Sequence, residues 1–289
     1  MKNISQKATF KIGIQGVKAS FHDVAARKYC QQNAIPEQHI VLVECPSFNE
    51  LGLKLVQGET DFSLMAIENS IAGSILPNYA LLAKHGFKIA SEVYLRIEMC
   101  LMALPGQKIE DIEFAQSHPM ALLQCENFLS RHPKIRALEA NDTAESAKEI
   151  RKKNSLGYAA IAPQLAASTY GLEILAKGIE SNQQNYTRFL VIFRADQYRP
   201  SAVANKASIC FEVSHQPGAF LKVLKIFAEL DLNLSKIQSI PIAGRPYEYS
   251  FHVDLEWQDH KKYQQAMLLI LPQIKNLTHF GEYLKGEVP

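Results

Sequence analysis

The chain has 289 residues, enough for about two domains, and its 47% hydrophobic and 21% charged residues are those of a globular protein rather than a disordered one. Lys and Arg number 31 against 29 Asp and Glu, a net charge of +2 that offers no electrostatic footprint for nucleic acid or an anionic membrane. Arg96 and Glu98 interrupt the longest apolar run short of the roughly 18 residues of a membrane span, and MKNISQKATF lacks a signal peptide's apolar stretch, so a cytoplasmic protein is expected.

Phe10, Ile12 and Ile14 alternate at period two and predict a first strand. Ser20 then caps a helix, with Asp23 three residues on. HIVLVEC (39–45) reads as a second, buried strand; Ser47 and Glu50 make a capping box for the next helix, which Gly58 stops. A third strand, Phe62 to Ile67, runs into Glu68-Asn69-Ser70, and a helix then ends near His85-Gly86. This rhythm predicts a parallel sheet with helices on both faces. Residues 87–104 carry long apolar strands that look like a crossing between lobes. Further strands are predicted at 114–116, 157–161 and 187–193, and helices begin at Pro119, after Asp142, and at Pro163, the last closed by Gly171.

After a polar link (196–206) the pattern changes. ASICFEV is a strand, and Phe220, Val223, Leu224, Phe227 and Leu230 follow helical spacing. Asn233 to Ile242 is a second strand, and Tyr247 to Leu255 alternate as a half-exposed antiparallel one. A helix over 259–272 and a strand over 276–283 complete a ferredoxin-like βαββαβ unit. Cys30, Cys45, Cys100, Cys125 and Cys210 are scattered and form no C-x-x-C, so they read as reduced core residues, and no metal or cofactor is expected.

In open α/β sheets, ligands bind at the carboxyl ends of strands beside helix N-termini. Three polar clusters fall there: Lys18-Ala19-Ser20, Glu68-Asn69-Ser70 and Ser117-His118. A fourth, Asn185-x-Thr187-Arg188-Phe189, sits at the entry to a strand and supplies an Arg. The set suits a small carboxylate-rich anion. Each member also has a plain structural reading: Ser20 and Ser70 as helix caps, His118 as a turn residue, Arg188 as a surface ion pair. Gly13-x-x-Gly16 has neither a following G-K-[ST] nor G-x-G-x-x-G spacing, and no nucleophile elbow appears, so nucleotide binding and hydrolase chemistry are unsupported.

Several blocks together carry a family resemblance. They are Ala66-Ile67-Glu68-Asn69-Ser70-Ile71-Ala72-Gly73-Ser74, Ser117-His118-Pro119-x-Ala121-Leu122-x-Gln124-Cys125, Asn185-x-Thr187-Arg188-Phe189, Pro217-Gly218-Ala219-Phe220-Leu221 and Leu232-Asn233-Leu234-Ser235-Lys236-Ile237. In this order and spacing the chain resembles the monofunctional bacterial prephenate dehydratases with a C-terminal ACT regulatory domain. The resemblance implies a two-lobed, periplasmic-binding-protein-like α/β catalytic domain over 1–200, with one lobe at 1–90 and 185–200 and the other at 91–184. It implies an α+β ferredoxin-like ACT domain over 206–289. The implied reaction takes prephenate to phenylpyruvate in phenylalanine synthesis. Thr187, Asn69, Ser117, Gln124 and Glu68 carry over as catalytic, and Arg188, Phe189, Ser20, Ser70 and His118 as substrate-binding.

Thr187 is then the candidate partner of the departing hydroxyl, and Glu68 its rival as proton source. Control by L-phenylalanine is implied through Gly218, Ala219, Phe220, Leu221, Asn233 and Ser239, in a homodimer or homotetramer. Arogenate dehydratase and a non-catalytic amino-acid or keto-acid sensor are the alternative readings. No chorismate mutase helix precedes residue 10, so a monofunctional enzyme is expected. The chain departs from the family in three places. Gln238-Ser239-Ile240-Pro241 replaces Glu-Ser-Arg-Pro, Ala19-Ser20-Phe21-His22 replaces Gly-Thr-Phe-Ser, and Met120 replaces a common Gln.

Overall fold

The computed structural model describes residues 9–242 and 244–287; most of the opening stretch searched for a signal peptide lies outside them. Its elements begin with β1 (Phe10–Gln15), α1 (Phe21–Gln32), β2 (Ile40–Cys45), α2 (Phe48–Gln57), β3 (Phe62–Asn69) and the two-residue β4 (Gly73–Ser74). Then come α3 (Leu76–His85), β5 (Lys88–Arg96), β6 (Cys100–Ala103), β7 (Phe114–Ser117), α4 (Pro119–Gln124), α5 (Glu126–Arg131) and β8 (Arg136–Glu139). After them come α6 (Thr143–Lys153), β9 (Tyr158–Ala162), α7 (Gln164–Tyr170), β10 (Glu173–Lys177) and β11 (Tyr186–Phe193). The chain closes with β12 (Lys206–Val213), α8 (Ala219–Glu229), β13 (Asn233–Pro241), β14 (Tyr249–Glu256), α9 (His260–Ile270) and β15 (Ile274–Tyr283).

Local chemistry explains the boundaries. Ser20 accepts from Asp23 N at the start of α1, Ser47 from Glu50 N at α2, and Asp142 from Ala144 and Glu145 N at α6. Ser70 caps no helix: the chain turns there into the β3–β4 hairpin, and α3 opens at Leu76. The reason is Asn69, whose Oδ1 accepts from Ile71 and Ala72 N and so fixes a turn instead of a helical start.

Three sheets result. The first has the order β2-β1-β3-β11-β5 with β4 paired to β3, and the second β10-β6-β9-β7-β8. β1 runs parallel to β2 and β3, as predicted, and β7 parallel to β8 and β9. The second sheet is nevertheless mixed, because β6 is antiparallel to both β9 and β10. β6 lies between β9 and β10, which α7 joins and which therefore run the same way as each other and opposite to β6. β2 is an edge strand with several half-exposed or exposed residues rather than a buried one.

The described residues form two units. One comprises the chain up to Ser74 with Val93–Phe189. Within it β6 alternates, so that Leu101 and Ala103 pack with Ala115, Cys125 and Ile161, while Cys100 and Met102 pack with Ala144, Ala147 and Ile150. The other unit comprises Ile75–Glu92 with the chain from Leu190 onward. Its sheet has the order β13-β14-β12-β15, the ferredoxin-like arrangement, and Ala207, Ile209 and Phe211 face Val223, Phe227, Tyr263 and Ala266 from the two helices.

The opposite, polar face of this sheet is buried too, where alternation predicts solvent. It meets α3 and the start of β5. Tyr79 stands edge-on to His252 at 4.9 Å, and Lys206 Nζ lies 3.1 Å from Glu92 Oε1. A Cβ on Gly281 would fall 2.3 Å from the Ile89 carbonyl oxygen. No helix among the described residues is long and apolar enough to cross a membrane.

Candidate active site

The site grows from the neighbouring ends of β3 and β11. Ser70 N donates to the Tyr186 carbonyl at 2.8 Å, and Tyr186 N donates to Ser70 Oγ at 2.9 Å. This brings Asn69 beside Thr187, and Asn69 Nδ2 donates to Thr187 Oγ1 at 2.9 Å and to Asn185 Oδ1 at 2.7 Å. Asn185 Nδ2 in turn donates to Gln124 Oε1 at 3.0 Å. Gln124 ends α4, and its carbonyl receives Ser181 N at 2.7 Å. Residues from three distant stretches of chain thus form one hydrogen-bonded line within a single unit. Asn185 and Thr187 are buried, whereas Asn69 and Gln124 are half-buried.

Strand geometry sorts the remaining candidates. Successive residues of a strand face opposite sides, so Thr187 and Phe189 share one face of β11 and Arg188 takes the other. Glu68 likewise lies on the opposite face of β3 from Asn69. Arg188 is only 5% exposed, which removes the reading of a surface ion pair. Ser117 is fully buried, and its Oγ donates to the Ile161 carbonyl at 2.6 Å. His118 is exposed and caps α4, its Nδ1 accepting from Met120 N at 3.2 Å. Ser20 is buried as the cap of α1, and Ser70 is exposed with its hydroxyl donated to the Gln184 carbonyl.

Two residues that sequence reasoning gave no role stand in this setting. Asn185, quoted only as part of a motif, is the middle of the line. His22 is buried on the Phe189 face, edge-on to that ring at 5.0 Å, and its Nε2 accepts from Ala66 N at 3.4 Å. Burial lowers its pKa to about 3, so the imidazole is neutral. Neither has a sequence signal of its own, since both depend on which strands become neighbours. Ala19, where the family carries Gly, has φ +67°, which explains why glycine suits that turn.

The residues expected to bind an effector belong to the other unit. Gly218 to Leu221 line a cavity of about 550 Å³ together with His215, Tyr247, Tyr249 and Phe251. Gly218 caps α8 at φ +76°, a conformation other residues rarely adopt, and Phe220 stacks on Phe251 at 4.2 Å. Asn233 and Ser239 are exposed on β13 and do not line it.

Carboxamides and one hydroxyl at the adjoining ends of two strands make a site that works by placing hydrogen-bond donors. In an α/β chain with a ferredoxin-like sheet, such a site suits a small molecule held and oriented by hydrogen bonds. The family model for prephenate dehydratase matches residues 12–197, and the chain belongs to that family. It is 36% identical over 294 residues to the chloroplastic arogenate dehydratase/prephenate dehydratase 2 of Arabidopsis thaliana, covering 98% of this chain and 73% of the relative. Among solved structures, the prephenate dehydratase of Arthrobacter aurescens in complex with L-Phe superposes with a TM-score of 0.82 at 25% identity, over 95% of this chain and 90% of that one. A structure described as GqqA, a novel type of quorum quenching acylases, superposes with a TM-score of 0.84 at 27% identity, over 95% and 98%.

Proposed function

We propose that the chain converts prephenate to phenylpyruvate, carbon dioxide and water in phenylalanine synthesis, with Thr187 serving the departing hydroxyl. The reaction breaks the bond from the ring to its carboxylate, and that electron pair enters the ring as it becomes aromatic. The ring hydroxyl leaves and takes up one proton to become water. Aromatisation supplies the driving force, so neither a strong nucleophile nor a hydride is required. What the protein contributes is orientation and a hydrogen-bond donor at the leaving oxygen.

The observation that carries this reading is the Asn69-to-Thr187 hydrogen bond at 2.9 Å. Thr187 Oγ1 accepts there, so its own proton is left to point at a substrate oxygen. A Thr hydroxyl is a weak acid, and hydrogen bonding to the leaving group is its role rather than full proton transfer. Glu68 projects from the other face of its strand, which favours Thr187 between the two. The cap of α1 at Ser20 and the amide of Gln124 supply further donors for the substrate's carboxylates. Arg188 lies buried on the opposite face of β11 from Thr187.

L-phenylalanine is the proposed effector, bound in the cavity at Gly218 to Leu221, where the stacked Phe220 and Phe251 make an apolar wall beside the N-terminus of α8. The L-Phe in the Arthrobacter aurescens structure supports this choice. In this reading residues 206–289 form an ACT domain and the catalytic lobes comprise 1–90 with 185–200 and 91–184. The assembly is a cytoplasmic homodimer or homotetramer, for which the exposed Leu268 and Leu269 on α9 offer an apolar surface. The test is phenylpyruvate formation from prephenate, with and without phenylalanine, beside arogenate as competing substrate. Prephenate turnover that falls with phenylalanine is expected; turnover of arogenate alone, or of neither by folded protein, overturns the assignment.

A further inference from the structure

We propose that Asn185 is a positioning residue that carries the direction of an amide relay from Asn69 to Gln124, so that both ends of the relay present donors to the substrate. The direction is imposed at Asn69. Its Oδ1 receives two backbone donors, Ile71 N at 3.0 Å and Ala72 N at 2.8 Å, and only an oxygen can accept both. Asn69 Nδ2 therefore points the other way, to Asn185 Oδ1 at 2.7 Å and Thr187 Oγ1 at 2.9 Å, with the Tyr186 carbonyl a longer third acceptor at 3.3 Å. With its oxygen accepting, Asn185 has only Nδ2 left for Gln124, whose Oε1 must then be the acceptor.

Each amide dictates the next. Among the described residues, Thr187 Oγ1 has no side-chain partner but Asn69, and Gln124 Nε2 has no protein partner. One end of the relay thus offers the Thr187 hydroxyl proton and the other the Gln124 NH2. Reversing any amide would present an oxygen to an anionic substrate instead. Asn185 is fully buried, and its backbone carbonyl accepts from Ile97 N at 2.8 Å, which fixes the stretch of chain that carries the amide. Chains of hydrogen bonds also polarise one another, which strengthens the donors at both ends.

This inference rests on the proposed reaction for its kinetic readout and on the fold alone for its spectroscopic one. Asn185→Ala releases Gln124, while the Asn69-to-Thr187 bond does not pass through it. The expected result is KM for prephenate raised about tenfold or more, the scale of one hydrogen bond to a charged group, with kcat lowered much less. Adding Asn185→Ala to Gln124→Ala should cost little further, because both remove the same donor. A fall in kcat at unchanged KM, or full additivity of the two substitutions, overturns the relay.

The spectroscopic readout is side-chain amide exchange in the unaltered protein, followed by NMR. Asn69 and Asn185 NH2 groups should exchange slowly and that of Gln124 fast. A protected Gln124 NH2 beside an unprotected Asn185 NH2 overturns the proposed direction even if Asn185→Ala does not fold. Absence of prephenate turnover in the unaltered protein would count against the reaction instead, and the exchange pattern would still decide the relay.

Discussion

Acid should destabilise this protein through His22, and the size of the effect follows from its surroundings. The ring lies between Phe48 at 5.5 Å and Phe189 at 5.0 Å, and its Nε2 is occupied as an acceptor by the Ala66 amide. Burial lowers its pKa to about 3, against about 6.5 in the unfolded chain. The folded state therefore binds the proton more weakly than the unfolded state. Its contribution to stability is complete above about pH 6.5 and is lost progressively as the pH falls toward 3. Between pH 7 and pH 5 the unfolded chain gains about 2 kcal/mol from protonating this one residue, while the folded chain gains almost nothing.

His22→Gln keeps an oxygen acceptor for Ala66 N and removes the titration. Urea unfolding at pH 7 and pH 5 should show the unaltered protein losing about 2 kcal/mol more than the variant over that interval. Equal losses in the two proteins would refute the neutral, buried assignment of His22. The comparison isolates this residue from His252, which burial lowers to about 4 against the opposing pull of Asp254 and which titrates alike in both proteins.

Lys206→Met removes the cation 3.1 Å from the buried Glu92 carboxylate, at an expected cost of about 3–5 kcal/mol. Adding Glu92→Leu should recover most of that in urea unfolding, and no recovery would contradict the pairing. Gly281→Ala drives a methyl group into the Ile89 carbonyl and should cost about 2–4 kcal/mol in thermal unfolding. Gly106→Ala, at φ +85° with nothing within 4 Å, should cost only about 1–2 kcal/mol, and a reversed order would contradict the close approach of β15 to β5.

Local signals predicted the elements well wherever a cap or an apolar run marked them. Ser20, Ser47 and Asp142 all cap the helices read from them, and the βαββαβ order of the C-terminal sheet follows from alternation and helical spacing. β8, with the residues RALE, and β10, with EILAK, escaped notice because short peripheral strands carry little apolar pattern. Alternation also sent His252 and Asp254 to solvent. It identifies which residues share a face but not whether a distant helix covers that face, as α3 does here.

The site divides in the same way. Asn69 and Thr187 were legible as polar residues at strand ends and entries, whereas Gln124 came only from the family resemblance. That Asn185 joins them depends on β3 lying beside β11, a pairing between residues more than a hundred positions apart that no local window contains. Ser117 shows the converse. It reads as site lining, but a donor buried that deeply needs its own acceptor and finds it at Ile161.

The most direct test of the account is the steady-state turnover of prephenate by Thr187→Ala beside the unaltered protein, with Lys225→Ala, exposed in the other unit, as control. Loss of a positioned donor that acts on the leaving hydroxyl predicts a kcat lowered about 10²–10⁴-fold with KM changed only a few-fold. A Thr187→Ala enzyme that turns over prephenate as fast as Lys225→Ala would contradict the assignment of that hydroxyl to the chemistry.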